Sequence, residues 1–221
     1  MDRDWDLYVI TDTRIGKGRS HAEIARLAIA GGAGIIQLRD KVCSRDNLIR
    51  VGREIADIAK ETGTLFIVND LPDVALACGA DGVHIGQGDL PGTVVRKIAA
   101  RPFIIGVSVS TPAEAERAVS DGADYIAASP VFPTGSKPDA LGFCGLEGIR
   151  RIRSVTRLPL VAIGGIGPEN AREVIRAGAD GIAVISAVVG APDITVAARE
   201  LRAIILEEKL SRGHHGLSHE E

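Results

Sequence analysis

A chain of 221 residues, 45% of them hydrophobic, is long enough to bury one full core as a single domain. A net charge of −3 and an aromatic content of only 3% exclude the basic, base-stacking surface of a nucleic-acid binder and give an anionic membrane nothing to attract. No apolar run approaches the roughly 20 residues that span a bilayer.

The acidic start MDRDWDLYVITD lacks the basic head and cleavage site of a signal peptide. Cys43, Cys78 and Cys144 have no paired metal-ligand spacing. These features predict a reduced, cytoplasmic domain. Trp5 to Ile10 is the first apolar strand. Ser20 with Glu23 three residues on makes a capping box, and Ile24, Leu27 and Ala28 continue at helical spacing. Gly34 to Leu38 is a second strand that runs into Arg39, Asp40 and Lys41. A long amphipathic helix follows from about 45 to 60.

The stretch LFIVNDLPDVALACGADGVHIGQGDL, 65–90, holds two short strands, 65–68 and 82–85, each followed by acids. Pro72 starts the helix between them and Gly79 stops it. Such a crossover favours parallel neighbours, which brings Asp70 and Asp89 to one end of the sheet. Two carboxylates there suit magnesium, a hard cation that takes its remaining ligands from phosphates. Helix 93–100, strand 103–107, helix 112–120 and strand 125–128 come next. A Gly/Pro-rich loop spans 129–145. Helix 146–155, strand 159–163, helix 169–177, strand 181–185 and a helix near 193–208 finish the chain.

Eight strand–helix units, with Gly-Ala-Gly or Gly-Ala-Asp before each even-numbered strand, predict a closed (β/α)8 TIM barrel over residues 1–210. The polar residues 211–221 read as a flexible tail. No GxGxxG or GxxxxGK[ST] follows any strand, which argues against dinucleotide and P-loop folds.

Active sites of such barrels lie at the C-terminal ends of the strands. Alternation points Gln37, Arg39 and Lys41 one way, an amide and two cations suited to phosphate. Ser108 follows strand 5, where it could equally be a turn residue. The loop PVFPTGSKPDALG offers Thr134, Ser136 and Lys137, a lysine able to close over phosphate. Gly164, Gly165 and Gly167 after strand 7, and Ile185 and Ser186 after strand 8, have the glycine-rich character of a phosphate-binding backbone. His84, inside strand 4, reads as a satisfied core histidine. No Ser-His-Asp or Cys-His pattern calls for covalent catalysis. The residues thus imply a magnesium-bound diphosphate near strands 2–4 and a monophosphate near strands 6–8.

The segments YVITD, QLRDK, VNDLPDVALACGADGVHIGQGDLP, IIGVS, PVFPTGSK, AIGGI and GADGIAVISA, in this order, resemble the thiamine-phosphate synthase family over nearly the whole chain. The resemblance implies condensation of 4-amino-2-methyl-5-(diphosphooxymethyl)pyrimidine with 4-methyl-5-(2-phosphooxyethyl)thiazole, giving thiamine phosphate and pyrophosphate. It implies that Gln37, Leu38, Arg39, Asp40, Lys41, Asn69, Ser108 and Lys137 hold the pyrimidine diphosphate. Arg39, Lys41, Lys137 and Ser108 would act catalytically, and Asp70 and Asp89 would ligate Mg2+. Thr134, Gly135, Ser136, Gly165, Ile185 and Ser186 would hold the thiazole phosphate. Partners would be these small molecules, with no nucleic acid and no membrane; a homo-oligomer is compatible with this. The tautomerase branch of the same barrels expects a histidine where Pro130 stands, and a thiazole-phosphate sensor would need neither metal carboxylate.

Overall fold

The computed structural model describes residues 3–135 and 143–215, with side chains as far as Arg212. Its strands are β1 (Leu7–Thr11), β2 (Ile35–Leu38), β3 (Leu65–Asn69), β4 (Gly82–Ile85), β5 (Ile104–Val109), β6 (Tyr125–Ala128), β7 (Leu160–Ile163) and β8 (Gly181–Val184). They close into one barrel in chain order, and the β8–β1 seam is parallel like the rest. The helices between them are α1 (His21–Ala30), α2 (Arg45–Thr62), α3 (Pro72–Cys78), α4 (Gly92–Ile98), α5 (Pro112–Ser120), α6 (Gly145–Val155) and α7 (Ala171–Arg176). Two more, α8 (Ser186–Val189) and α9 (Ile194–His215), follow β8. No described helix is long and apolar enough to cross a membrane.

Strand alternation divides the core into two bodies. Leu7, Val9, Ile36, Leu38, Phe66 and Val68 face outward beneath the helices. Tyr8, Ile10, Ile35, Ile67, Ile104 and Tyr125 fill the lumen. Each fully buried side chain of this size contributes about 1.5–3 kcal/mol, and a register slip of one residue would exchange the two sets.

The Gly-Ala-Asp echo has a structural cause. Gly79, Gly122 and Gly178 take φ of 76°, 86° and 115°, a region that disfavours any side chain. Each aspartate then accepts a backbone N–H from the first or second residue of the preceding strand. Asp81 bonds Phe66 N, Asp124 bonds Ile105 N and Asp180 bonds Leu160 N, all at 2.8 Å. The repeat therefore joins odd to even strands at the barrel's N-terminal end.

Several boundaries differ from those the pattern predicts. The ladder continues through Asn69, opposite His84, and through Ser108, opposite Ala127, so both belong to strands rather than to the loops after them. Helix α8 is too short for periodicity to reveal. Helix α9 runs past 208 to His215, burying Ile194, Ala198, Leu201 and Ile205 on one face. The carboxylate of Glu208 on that face accepts Arg176 Nε at 2.7 Å and Nη2 at 2.9 Å.

Candidate active site

A cavity of about 400 Å3 opens at the C-terminal end of the barrel, within the size range of small-molecule sites. Gln37, Arg39, Asn69 and Ser108 line one part of it, and Thr134, Gly165, Ile185 and Ser186 another. Pleat orientation explains the first group: Gln37, Asn69 and Ser108 sit at inward positions near the ends of β2, β3 and β5.

Not every expected residue joins them. The strand ends at Leu38, so alternation stops there, and Lys41 falls in an exposed bend away from the cavity wall. Leu38 points outward into the helix layer and offers the cavity no side chain. Asp40 turns back on its own loop. Its Oδ1 accepts Val42 N at 2.9 Å and Cys43 N at 3.1 Å, and its Oδ2 lies 3.3 Å from His21 Nε2. Burial raises the Asp40 pKa, but the hydrogen bonds from Val42, His21 and Cys43 outweigh that and hold it below the usual carboxylate value. Gly135 is described but does not line the cavity, while Ser136 and Lys137 lie outside the described residues.

Arg39 is held by Asp12, whose Oδ2 is 3.9 Å from Nη1, with both side chains largely buried. That separation exceeds hydrogen-bond length, so the guanidinium keeps donors for a ligand. Asp12 ends the YVITD segment after β1, where no neighbouring charge pattern marks it as the partner of Arg39.

Asp70 and Asp89 follow the adjacent strands β3 and β4. Asp70 is non-glycine yet has φ of 62°, and its N–H donates to His84 O at 2.8 Å. A residue held in that region costs about 1 kcal/mol or more, and its backbone is pinned by the neighbouring strand. Asp89 Oδ2 accepts Gly86 N at 2.7 Å. No group of three or more His, Cys, Asp or Glu able to hold a metal occurs among the described residues. A purely oxygen donor set of two carboxylates fits a magnesium ion that takes its other ligands from phosphate and water.

The opposite wall is built by two glycines. Gly164 and Gly165 have φ of 109° and 63°, and a Cβ on Gly165 would lie 2.5 Å from Pro133 O. The backbone thus packs directly against the start of the long loop, where Val131 N bonds Ile163 O and Phe132 N bonds Gly164 O. Cys144 N to Pro130 O and Gly145 N to Val131 O close that loop at its base. Asn170 spans the glycine turn: its Oδ1 accepts Gly167 N at 3.0 Å and its Nδ2 donates to Gly165 O at 2.9 Å. It stands in the AIGGIGPEN segment, but nothing in the sequence marks its side chain as the brace.

Reasoning from sequence also missed the lumen network. Gln37 Nε2 donates to Tyr8 Oη at 2.6 Å, and Tyr8 Oη lies 3.0 Å from Tyr125 Oη. Tyr125 Oη is 2.9 Å from His84 Nδ1, and His84 Nε2 is 2.9 Å from Ser108 Oγ. The histidine is thus satisfied, as its place in a strand predicts. Gln87 Nε2 braces the same serine by donating to Ser108 O at 2.7 Å. The chain's two tyrosines both occupy inward strand positions, and that was the signal available.

The family model of thiamine monophosphate synthase matches residues 7–188. The thiamine-phosphate synthase of Methanoregula boonei is 64% identical over 204 residues, covering 92% of this chain and 94% of that protein. That of Moorella thermoacetica is 52% identical over 201 residues, covering 91% and 96%. The solved structure of thiamine phosphate pyrophosphorylase from Pyrococcus furiosus superposes with a TM-score of 0.86 at 45% identity, over 93% of this chain and 98% of that one. A 3-hexulose-6-phosphate synthase, 21% identical at a TM-score of 0.71, shares the fold alone. The chain belongs to the thiamine monophosphate synthase family and is a transferase of thiamine biosynthesis.

Proposed function

We propose that this enzyme condenses 4-amino-2-methyl-5-(diphosphooxymethyl)pyrimidine with 4-methyl-5-(2-phosphooxyethyl)thiazole, releasing thiamine phosphate and pyrophosphate. The observation that carries the reading is the shared cavity, with Gln37, Arg39, Asn69 and Ser108 on one part of its wall and Thr134, Gly165, Ile185 and Ser186 on the other. One group suits a pyrimidine diphosphate, the other a thiazole phosphate held by exposed backbone N–H groups. The names of the relatives, a thiamine-phosphate synthase and a thiamine phosphate pyrophosphorylase, support thiamine phosphate as the product.

The reaction is a dissociative substitution. The bond between the pyrimidine methylene and the diphosphate oxygen breaks, and its electron pair leaves with pyrophosphate. Arg39 neutralises that developing charge, and Ser108 donates to it. Lys41, in the exposed bend after β2, and Lys137, which lies outside the described residues, would add cationic charge once substrate is bound. Asp70 and Asp89 would hold Mg2+, which supplies Lewis-acid stabilisation of the leaving group. The thiazole nitrogen attacks with its own lone pair, so no general base is required, in keeping with a His84 fully engaged in hydrogen bonds. Free Cys43, Cys78 and Cys144 support a reducing, cytoplasmic setting.

The test is purified enzyme with magnesium and both substrates, following thiamine phosphate and pyrophosphate together. Equimolar appearance of both, abolished by a chelator, supports the reading. A folded protein that binds thiazole phosphate yet makes no product refutes it.

A further inference from the structure

Five side chains on five strands, Gln37, Tyr8, Tyr125, His84 and Ser108, form one unbroken hydrogen-bonded line across the lumen. Both ends line the cavity. Burial pushes both tyrosine hydroxyls well above their ordinary pKa, so each keeps its single hydrogen. Each phenol takes part in two bonds of the line, so it must donate one and accept one.

With the Gln37 amide donating, every other orientation follows. Tyr8 gives its hydrogen to Tyr125, Tyr125 gives its hydrogen to His84 Nδ1, and His84 Nε2–H gives to Ser108 Oγ. Only the hydrogen of Ser108 is then unassigned.

We propose that this line is a directional relay that sets Ser108 as a hydrogen-bond donor to an anionic oxygen in the cavity, with His84, Tyr125 and Tyr8 as positioning residues. The relay has one alternative state. If the Gln37 amide turns and accepts from Tyr8, each link reverses and Ser108 Oγ–H points to His84 Nε2. The serine then offers the cavity only an acceptor, which repels a phosphate oxygen. The two ends are therefore coupled. A ligand with an N–H donor for Gln37 Oε1 at one end and an anionic oxygen for Ser108 at the other is read as a unit. A ligand that presents an acceptor to Gln37 turns the amide and weakens its own phosphate contact.

The assignment of Ser108 to pyrophosphate rests on the proposed function, whereas the relay itself can be tested without ligand. The experiment is 15N NMR of histidine-labelled, ligand-free protein at pH 8, reading the His84 tautomer. The wild type is expected to carry hydrogen on Nε2 and a bare Nδ1. Gln37→Glu has the same shape, but its ionised carboxylate only accepts, so the relay inverts and the hydrogen moves to Nδ1. In a Tyr8→Phe background, which cuts the line, Gln and Glu at position 37 are expected to give the same His84 tautomer. A tautomer that ignores Gln37→Glu in the otherwise wild-type protein, or that follows it equally in Tyr8→Phe, overturns the relay.

Calorimetry with inorganic pyrophosphate and magnesium then reads the functional end. His84→Leu and Ser108→Ala are each expected to weaken binding about three- to tenfold. The double variant should be no weaker than Ser108→Ala alone, because His84 acts through the serine. Additive losses overturn the coupling. A wild type that binds no pyrophosphate, yet shows the Gln37-dependent tautomer, refutes the functional reading and leaves the relay standing.

Discussion

Gly106→Ala tests whether the lumen is built around the Tyr125 ring. A Cβ on Gly106 would lie 2.0 Å from Tyr125 Cζ and 2.3 Å from its Oη. Carbon contacts are comfortable only from about 3.5 Å, so the ring must retreat by more than about 1 Å. It has little room to do so: it is fully buried, with the Trp5 ring 4.9 Å and the His84 ring 5.5 Å away between centroids. Retreat breaks the bonds to Tyr8 and His84, each worth about 0.5–1.5 kcal/mol, and overpacking adds about 1–3 kcal/mol. The expected destabilisation is about 2–6 kcal/mol, read by urea unfolding, with a fall in turnover because Ser108 loses its brace. In a Tyr125→Ala background the clash is gone, and Gly106→Ala should then cost less than about 1 kcal/mol. A single variant that loses less than about 1 kcal/mol and keeps wild-type turnover refutes the argument.

Asp89→Ala should lower turnover about 100-fold or more at saturating magnesium. Stability should stay within about 1 kcal/mol of wild type, because this exposed carboxylate makes one bond, to Gly86 N; an unchanged rate would remove it from the metal site. Asn170→Ala frees the glycine turn and should raise the KM for the thiazole phosphate about tenfold, with kcat changed little. Equal effects on the KM of both substrates would count against a dedicated subsite. Asp40 has a folded pKa below its ordinary 3.8, so its stabilisation is present above that value and lost as the pH falls through the lower folded one. The difference in urea midpoint between wild type and Asp40→Asn should therefore be full well above pH 3.8 and shrink as the pH falls below it; a gap independent of pH would refute the assignment.

Much of the site was legible because barrels gather chemistry at strand ends. Gln37, Arg39, Asn69, Ser108, Gly165 and Ser186 could all be reached by asking what stands at the end of each apolar run. Reasoning by alternation overreached at Lys41, where β2 had already ended and the chain had turned. It also had no way to see Asp40 turned back to cap its own loop, a bond between a side chain and backbone two residues on.

The one-dimensional pattern alone determined the eight-unit barrel, its two-faced strands and the end of the sheet that carries the chemistry. Those features depend on local period, on helix-stopping glycines and on short connections, and each is a property of neighbouring residues. Tertiary structure alone decided that Tyr8, Gln37, His84, Ser108 and Tyr125 meet. They are brought together by barrel closure and strand register, and the gap left by Gly106 lets the Tyr125 ring cross the lumen. It also decided that Asn170 braces the glycine turn and that Asp12 holds Arg39. Contacts between residues far apart in the chain leave no periodic trace, because each depends on distances that exist only once the barrel has closed.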